Sequence, residues 1–363
     1  MLASAMEATG SRYIGESGAL KYIGSELKLL DRKKVYILGG KRALEAALPK
    51  MEEALKEEKL DYKVGEFSGY CTYDNAGRHA RELAAAGCDS IVGVGGGKCM
   101  DTAKIISKLC NVPLGMVPTQ LGTCVSCTNM AIVYENNGAY LEAYHPDKAI
   151  AFILADFELL ANSPVRYTAA GIVDAMAKFP ELNFTQRGSY DCTQTDDAAS
   201  QAARAMAGCT WKLYLANGRR ACRDNGEKKA SSAFTAIANT SLITTGVISG
   251  LARGSKQLAI AHSLYNNSTT VYPEVWRNYL HGEIVSVGVV LQEYFNRAPQ
   301  EELEDYISIA KDLGAPVCLR DLGLAGSQKE LDDMHRAIVN DFEQFNETDS
   351  KRLRELMERV VSL

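Results

Sequence analysis

The segment Gly93-Val94-Gly95-Gly96-Gly97-Lys98-Cys99-Met100-Asp101-Thr102-Ala103-Lys104 joins a short apolar run to a helical pattern through consecutive glycines. Ser90 to Val94 predicts a buried strand and Cys99 to Cys110 a helix. Glycines between them accept positive φ and let an anion approach the unpaired N–H groups of a helix start. A phosphate cradle fits this pattern, and so does a plain strand-to-helix turn. A P-loop does not fit: Val92 stands at its first glycine position and Cys99 at its hydroxyl position, which removes the Mg²⁺ ligand. The Rossmann fingerprint fails as well, because Lys98 occupies its third glycine and the segment lies about a third of the way along the chain.

With 363 residues the chain is long enough for two cores. A 46% hydrophobic and 23% charged composition is that of a soluble globular protein, and a net charge of −5 argues against nucleic-acid binding. No apolar stretch approaches the ~20 residues of a membrane span, and the N-terminus lacks a signal-peptide pattern. Cytoplasmic localisation is expected, with the ten cysteines reduced and serving as small apolar side chains. Cys124 and Cys127 form a C-x-x-C without a second pair at zinc-ribbon spacing.

From Lys34 to about Leu154, strand patterns alternate with helical ones: Val35–Leu38, Ala43–Glu58, Tyr62–Phe67, Asp74–Ala86, Ile91–Val94 and the helix that follows. Leu114–Val117, Met130–Tyr134 and Ile150–Leu154 continue the strands. This is α/β with a parallel sheet. At Asn162-Ser163-Pro164 the texture changes, Ser163 suiting an N-cap and Pro164 an N1 position. Beyond it nearly everything fits helical periodicity: Ala169–Lys178, Ala198–Asn217, Ser232–Gly250, Ser255–Tyr265, Gly282–Tyr294, Glu301–Leu313, Gln328–Asn340 and Lys351–Val361. A long loop is expected from Asn266 to Asn278, where Pro273 bars a continuous helix. The chain therefore divides into an α/β domain, 1–162, and an all-α domain, 163–363.

Three polar residues stand out in the helical half. Asp174 lies in Ala169-Ala170-Gly171-Ile172-Val173-Asp174-Ala175-Met176-Ala177-Lys178, where an ionised carboxylate requires a cation or several donors. His262 lies in an equally apolar run, Leu258 to Leu264. His281 precedes Gly282-Glu283-Ile284-Val285, a helix start that disfavours the imidazolium and so keeps the metal-binding neutral form. One carboxylate and two imidazoles can hold a divalent ion with a position left open. Each residue also has a plainer reading as a hydrogen-bonded core group, because no local metal spacing such as H-E-x-x-H is present.

Taken in order, GVGGGKCMDTAK (93–104), VPT (117–119) with IVY (132–134), AAGIVDAMAK (169–178), AIAH (259–262) and HGE (281–283) resemble the iron-containing alcohol dehydrogenase superfamily, and within it the glycerol dehydrogenase-like branch. The resemblance covers nearly the whole chain. It implies the dehydroquinate synthase-like fold of that superfamily, an α/β dinucleotide-binding domain with a parallel sheet followed by a helical domain, and a catalytic metal in the cleft. By resemblance, Gly96, Gly97, Lys98 and Asp101 line the pyrophosphate of the cofactor. Thr119, Gly122, Thr128, Met130 and Tyr134 line the rest, and Asp174, His262 and His281 bind the metal.

Departures from the family pattern are informative. Lys178 stands where the four-ligand iron enzymes carry a third histidine, and its ammonium cannot ligate, so zinc is favoured over iron. Cys124 replaces the substrate-loop aspartate of glycerol dehydrogenases, and Tyr265 replaces a second histidine after His262; these two are the candidate catalytic residues. The Thr123-Cys124 pair and Lys178 resemble the hydroxycarboxylate dehydrogenases of the superfamily, and Arg253 and Lys256 could meet a substrate carboxylate. After the first strand, Gly39-Gly40-Lys41-Arg42 carries no acid for a ribose 2′-hydroxyl, so NADP is as acceptable as NAD.

The expected protein is thus a metal-dependent NAD(P)-linked dehydrogenase or reductase of a small alcohol/carbonyl pair, with a 2-hydroxy acid/2-oxo acid pair as one form of it. It is expected to be a homo-oligomer acting on a small molecule, without nucleic-acid or membrane partners. Alternatives are a glycerol or other polyol dehydrogenase, a dehydroquinate-synthase-like cyclase, and a non-catalytic cofactor-binding protein.

Overall fold

The computed structural model describes residues 10–184, 198–252 and 258–363. Its apolar runs assemble one six-stranded parallel sheet from β1 (Arg12–Glu16), β2 (Lys34–Gly39), β3 (Asp61–Glu66), β4 (Ser90–Gly95), β5 (Leu114–Pro118) and β8 (Phe152–Asp156), in the order β1-β8-β5-β4-β2-β3. β4, β5 and β8 are buried along their whole length, as strands covered on both faces must be. Alternation sorts their side chains: Ile37, Val92, Val94 and Leu154 join Met51 and Leu55 of α2 (Lys41–Glu57) on one face. Leu38, Ile91, Met116 and Ile153 on the other face join Met100 and Ile106 of α4 (Gly97–Cys110). That second cluster continues without a break into the helical part through Ile172, Val173, Trp211 and Val285.

From β2 the chain runs outward to β3, with α3 (Tyr73–Ala85) leading back, then crosses to β4 and proceeds the other way through β5 towards β8. The strand order therefore reverses between β2 and β4. Open α/β sheets take ligands at the carboxyl ends of strands beside such a reversal. Gly39-Gly40 and Gly95-Gly96-Gly97 stand there.

The second part comprises α5 (Phe157–Ala161), α6 (Val165–Met176), α7 (Lys178–Leu182), α8 (Ala198–Gly226), α9 (Ser232–Asn239), α10 (Thr245–Leu251), α11 (Ile260–Val271), α12 (Pro273–Asn278), α13 (His281–Asn296), α14 (Gln300–Asp312), α15 (Gln328–Asn340) and α16 (Glu347–Arg359). Several expectations are corrected. Met130–Tyr134 does not extend the main sheet; β6 (Ala131–Tyr134) pairs antiparallel with β7 (Tyr140–Tyr144), a strand too polar to be seen in the sequence. β1, equally short, was also missed. Pro164, not Ser163, caps α6, while the Ser163 hydroxyl donates to the Leu160 carbonyl at 2.7 Å.

No long loop runs from Asn266 to Asn278. Ser268 and Thr269 turn their hydroxyls back to the carbonyls of Tyr265 and Asn266, so α11 continues to Val271, and Pro273 opens α12 at a position where its missing N–H costs nothing. The start of the expected Ser255–Tyr265 helix lies outside the described residues. α9 and α10 are joined through a π-turn, Thr240–Thr244, into a 20-residue stretch, Ser232–Leu251, that is long and apolar enough to cross a membrane by length and composition. This corrects the expectation that no such stretch exists; half of its apolar window is buried, and α9 and α10 pack against α8.

Candidate active site

A cavity of about 820 Å³ opens at the ends of β2 and β4 and reaches α6, α11 and α13. Its α/β wall is made largely of backbone. Gly95 ends β4 at φ 151°, Gly96 is extended, and no side chain caps the first turn of α4. The N–H groups of that turn are consequently available to a ligand. An added Cβ at Gly97 would meet nothing nearer than 3.8 Å, so protein packing does not demand this glycine. A ligand lying close against the backbone would demand it, which fits a pyrophosphate.

Eight of the nine residues expected around the cofactor line this cavity: Gly96, Gly97, Lys98, Asp101, Gly122, Thr128, Met130 and Tyr134. Thr119 stands beside it and donates its backbone N–H to the Gly95 carbonyl at 3.1 Å, which steadies the glycine turn. Asp101 is engaged within the protein: it pairs with Lys104 at 3.0 Å and accepts the Ile132 N–H at 3.1 Å, while Lys104 donates to the Met130 carbonyl at 2.6 Å. The pair pins β6 to α4. Lys98 lies over the Tyr70 ring at 4.5 Å and the Trp276 ring at 5.4 Å, bridging the two walls, and burial lowers its pKa. Lys41 and Arg42 are exposed and lie outside the cavity wall.

The opposite wall is made of side chains. Asp174 Oδ1 on α6 stands 3.0 Å from His281 Nε2, at the first residue of α13, and 3.4 Å from His262 Nε2, in the first turn of α11. The three ligand atoms lie within 4.8 Å of one another. Glu181, on α7, accepts both Nδ1–H of His262 at 2.7 Å and the His262 backbone N–H at 3.1 Å. An ionised carboxylate can only accept, so His262 Nδ1 carries a hydrogen towards Glu181 and Nε2 is the nitrogen left to face a cation beside Asp174, once its own proton is displaced. Asp174 Oδ1 is buried without a hydrogen bond. A buried carboxylate oxygen facing two imidazole nitrogens is a donor set that fits a divalent cation.

Electrostatics match this geometry. Burial pushes the Asp174 carboxyl up, but His281 and His262 outweigh burial and hold it well below the usual range. For His262, burial opposes the charge, and Glu181 with Asp174 overcomes it and lifts the pKa to about 9.

Two glycines allow the helices to converge. A Cβ at Gly171 of α6 would lie 1.6 Å from the Leu121 carbonyl oxygen, and one at Gly282 of α13 would lie 1.9 Å from that of Ala170. Arg166 clamps the same two helices with a forked pair to Glu283 at 2.6 and 2.7 Å, and Glu283 also accepts the Leu280 N–H at 2.7 Å.

Tyr265 packs its ring edge-on against His281, with centroids 4.0 Å apart. Its hydroxyl accepts from Trp276 Nε1 at 3.1 Å and lies 3.4 Å from the Tyr134 hydroxyl. It is thus placed to buttress an imidazole. Cys124 lines the cavity, its thiol pushed up by burial and drawn back by Lys178. Arg253 and Lys256 lie outside the described residues. Sequence reasoning missed Glu181; the signal was a second acid seven residues after Asp174, on the same face of a helical run.

Residues 10–156 match the family model for iron-containing alcohol dehydrogenase. A glycerol dehydrogenase of Escherichia coli is 29% identical over 315 residues, covering 86% of this chain and 83% of that protein. Hydroxycarboxylate dehydrogenase A of Escherichia coli is 28% identical over 285 residues, covering 78% and 75%. The crystal structure of a probable glycerol dehydrogenase from Sinorhizobium meliloti shares the fold with a TM-score of 0.83 at 23% identity, covering 98% of each chain. With the glycine turn and the three convergent helices arranged as described, the N-terminal part of the chain resembles the iron-containing alcohol dehydrogenase family, and the chain has glycerol dehydrogenases among its homologues.

Proposed function

We propose that this chain is a metal-dependent oxidoreductase that transfers hydride between a nicotinamide dinucleotide and a small alcohol/carbonyl pair. One observation carries the reading: Asp174, His262 and His281 converge on a cavity whose other wall is an uncapped glycine turn. Two imidazoles and one carboxylate with room for a further ligand suit zinc better than iron. When bound, such an ion supplies Lewis acidity towards a substrate oxygen.

The chain itself does the positioning. Asp174, His262 and His281 hold the ion, Glu181 sets the tautomer of His262, and the Tyr265 ring restrains His281. The N–H groups after Gly96 receive the pyrophosphate, and the dinucleotide carries the redox chemistry. Exposure of Lys41 and Arg42 away from the wall supports NAD over NADP.

For the substrate, two readings stand on different observations. The names of the relatives support a polyol. Cys124 and Lys178 at the cavity support a 2-hydroxy acid/2-oxo acid pair. A panel of 2-oxo acids, aldehydes, ketones, glycerol and propanediol, assayed with NADH/NAD and NADPH/NADP with and without zinc, tests the proposal. We expect zinc-dependent net change in the cofactor, and a loss of both zinc content and turnover in His262→Ala, turnover falling ~10³-fold. Product formation that returns the cofactor unchanged would indicate a cyclase. No turnover despite bound zinc and dinucleotide, or wild-type zinc content in His262→Ala, would overturn the assignment.

A further inference from the structure

We infer that Trp276 is a positioning residue shared by the two walls: its ring face steadies Lys98 for the dinucleotide, and its indole N–H steadies Tyr265 against His281. The inference rests on the oxidoreductase reading above and adds a residue to that same site.

Trp276 belongs to α12 of the helical part, yet its ring sits among residues of the α/β part. Its centroid lies 5.5 Å from that of Tyr70, which follows β3, and 6.0 Å from that of Tyr134 on β6. The turn between β6 and β7 makes room for it. Gly138 has a φ of 92°, and a Cβ there would lie 2.6 Å from Trp276 Cη2 and 2.8 Å from Tyr70 Cζ. A seat for the indole is therefore built into the hairpin.

Lys98 supplies the reason on the dinucleotide side. It occupies the first turn of α4, where a cation opposes the helix dipole, and no acid shares that turn. Among the described residues no carboxylate pairs with it. Its ammonium is held instead over the faces of Tyr70 and Trp276, and the side chain stays open to the cleft. A long, flexible side chain loses much freedom when it grips an anion, and rings that restrain it beforehand reduce that cost. The restrained ammonium and the uncapped N–H groups of the same turn then serve one anion together.

The edge of the same indole serves the other wall. Nε1–H can only donate, and it donates to the Tyr265 hydroxyl at 3.1 Å. That bond fixes a ring whose centroid stands 4.0 Å from that of His281, edge-on. Ring face and N–H are separate chemical features, so a substitution can remove one and keep the other.

The test measures affinities that need no turnover: NADH and inorganic pyrophosphate by calorimetry, and zinc by chelator competition. Trp276→Phe keeps a ring face and loses the N–H. Its NADH affinity is expected within about twofold of wild type, while zinc affinity falls about fivefold. Trp276→Leu loses both features, and affinity for NADH and for pyrophosphate falls about fivefold as well. In a Lys98→Met background Trp276→Leu should cost no further NADH affinity, and in a Tyr265→Phe background Trp276→Phe should cost no further zinc affinity. Full-sized losses in those backgrounds would overturn the inference. Equal losses of both ligands in Trp276→Phe would overturn it too, because they would mark a general loosening of α12. Zinc and NADH binding without turnover of any alcohol or carbonyl compound would remove the oxidoreductase reading, whereas wild-type affinities in Trp276→Leu would sink the shared role alone.

Discussion

The two walls of the cleft bind by different means. On the α/β side, the cradle is main chain: three glycines, one turn of α4 and N–H groups that no side chain caps. On the helical side, the site consists of side chains from α6, α11 and α13, held by a fourth group on α7. A main-chain site depends on the local course of the backbone, whereas a side-chain site depends on how helices cross. Substitution should therefore separate ligand affinity from stability on the first wall and couple metal affinity to positioning groups on the second.

Outside the three residues that face the ion directly, the largest effect is expected at Glu181. Glu181→Ala removes the acceptor that fixes the His262 tautomer, and zinc affinity, measured by chelator competition, should fall about 10–100-fold. Glu181→Gln keeps an acceptor and should recover part of the loss. Unchanged zinc affinity in Glu181→Ala would show that the helix crossing alone positions His262. A smaller effect is expected on the opposite wall. In Gly97→Ala the new Cβ points into space the protein leaves open, so dinucleotide affinity by fluorescence titration should fall about tenfold, with a thermal midpoint close to wild type. A lowered midpoint with unaltered affinity would make that glycine a packing residue and erase the contrast between the walls.

The smallest effect concerns α13 beyond the site. Glu293 is buried on that helix, which also carries His281, and burial, aided by Glu302, pushes its carboxyl up to about 8. The folded state thus keeps a proton that the unfolded chain releases near pH 4.5, so the stabilisation is complete below that value and is lost as pH rises through about 8. Glu293→Gln should track wild type more closely at pH 5 and melt higher at pH 9, by about 1–2 °C per kcal/mol gained. Parallel melting curves across that range would show that Glu293 stays ionised in the fold.

Elements whose residues lie close in sequence were legible. The parallel strands from Lys34 to Leu154 and the glycine turn appear within a few residues of their observed bounds, because apolar runs and glycines act over one strand or one turn. Asp174, His262 and His281 were legible one at a time, as polar groups in apolar helices. Asn266 to Asn278 was misread because composition alone does not reveal that Ser268 and Thr269 can satisfy helical carbonyls. The β6–β7 hairpin was missed because β7 pairs along only one edge and carries an exposed, polar pattern.

By itself the sequence determined the parallel α/β part, the helical part and a glycine turn between β4 and α4, since short-range periodicity and glycine conformations encode each of these. Motif resemblance pointed to the family. Tertiary structure alone decided that three residues spread from 174 to 281 present their ligand atoms within 4.8 Å, and that Glu181 and Lys178 join them. The physical reason is contact: α6 meets the Leu121 carbonyl at Gly171, and α13 meets the Ala170 carbonyl at Gly282, at distances no side chain could occupy. Such approaches fix the helix crossings, and they are properties of residues far apart in the chain.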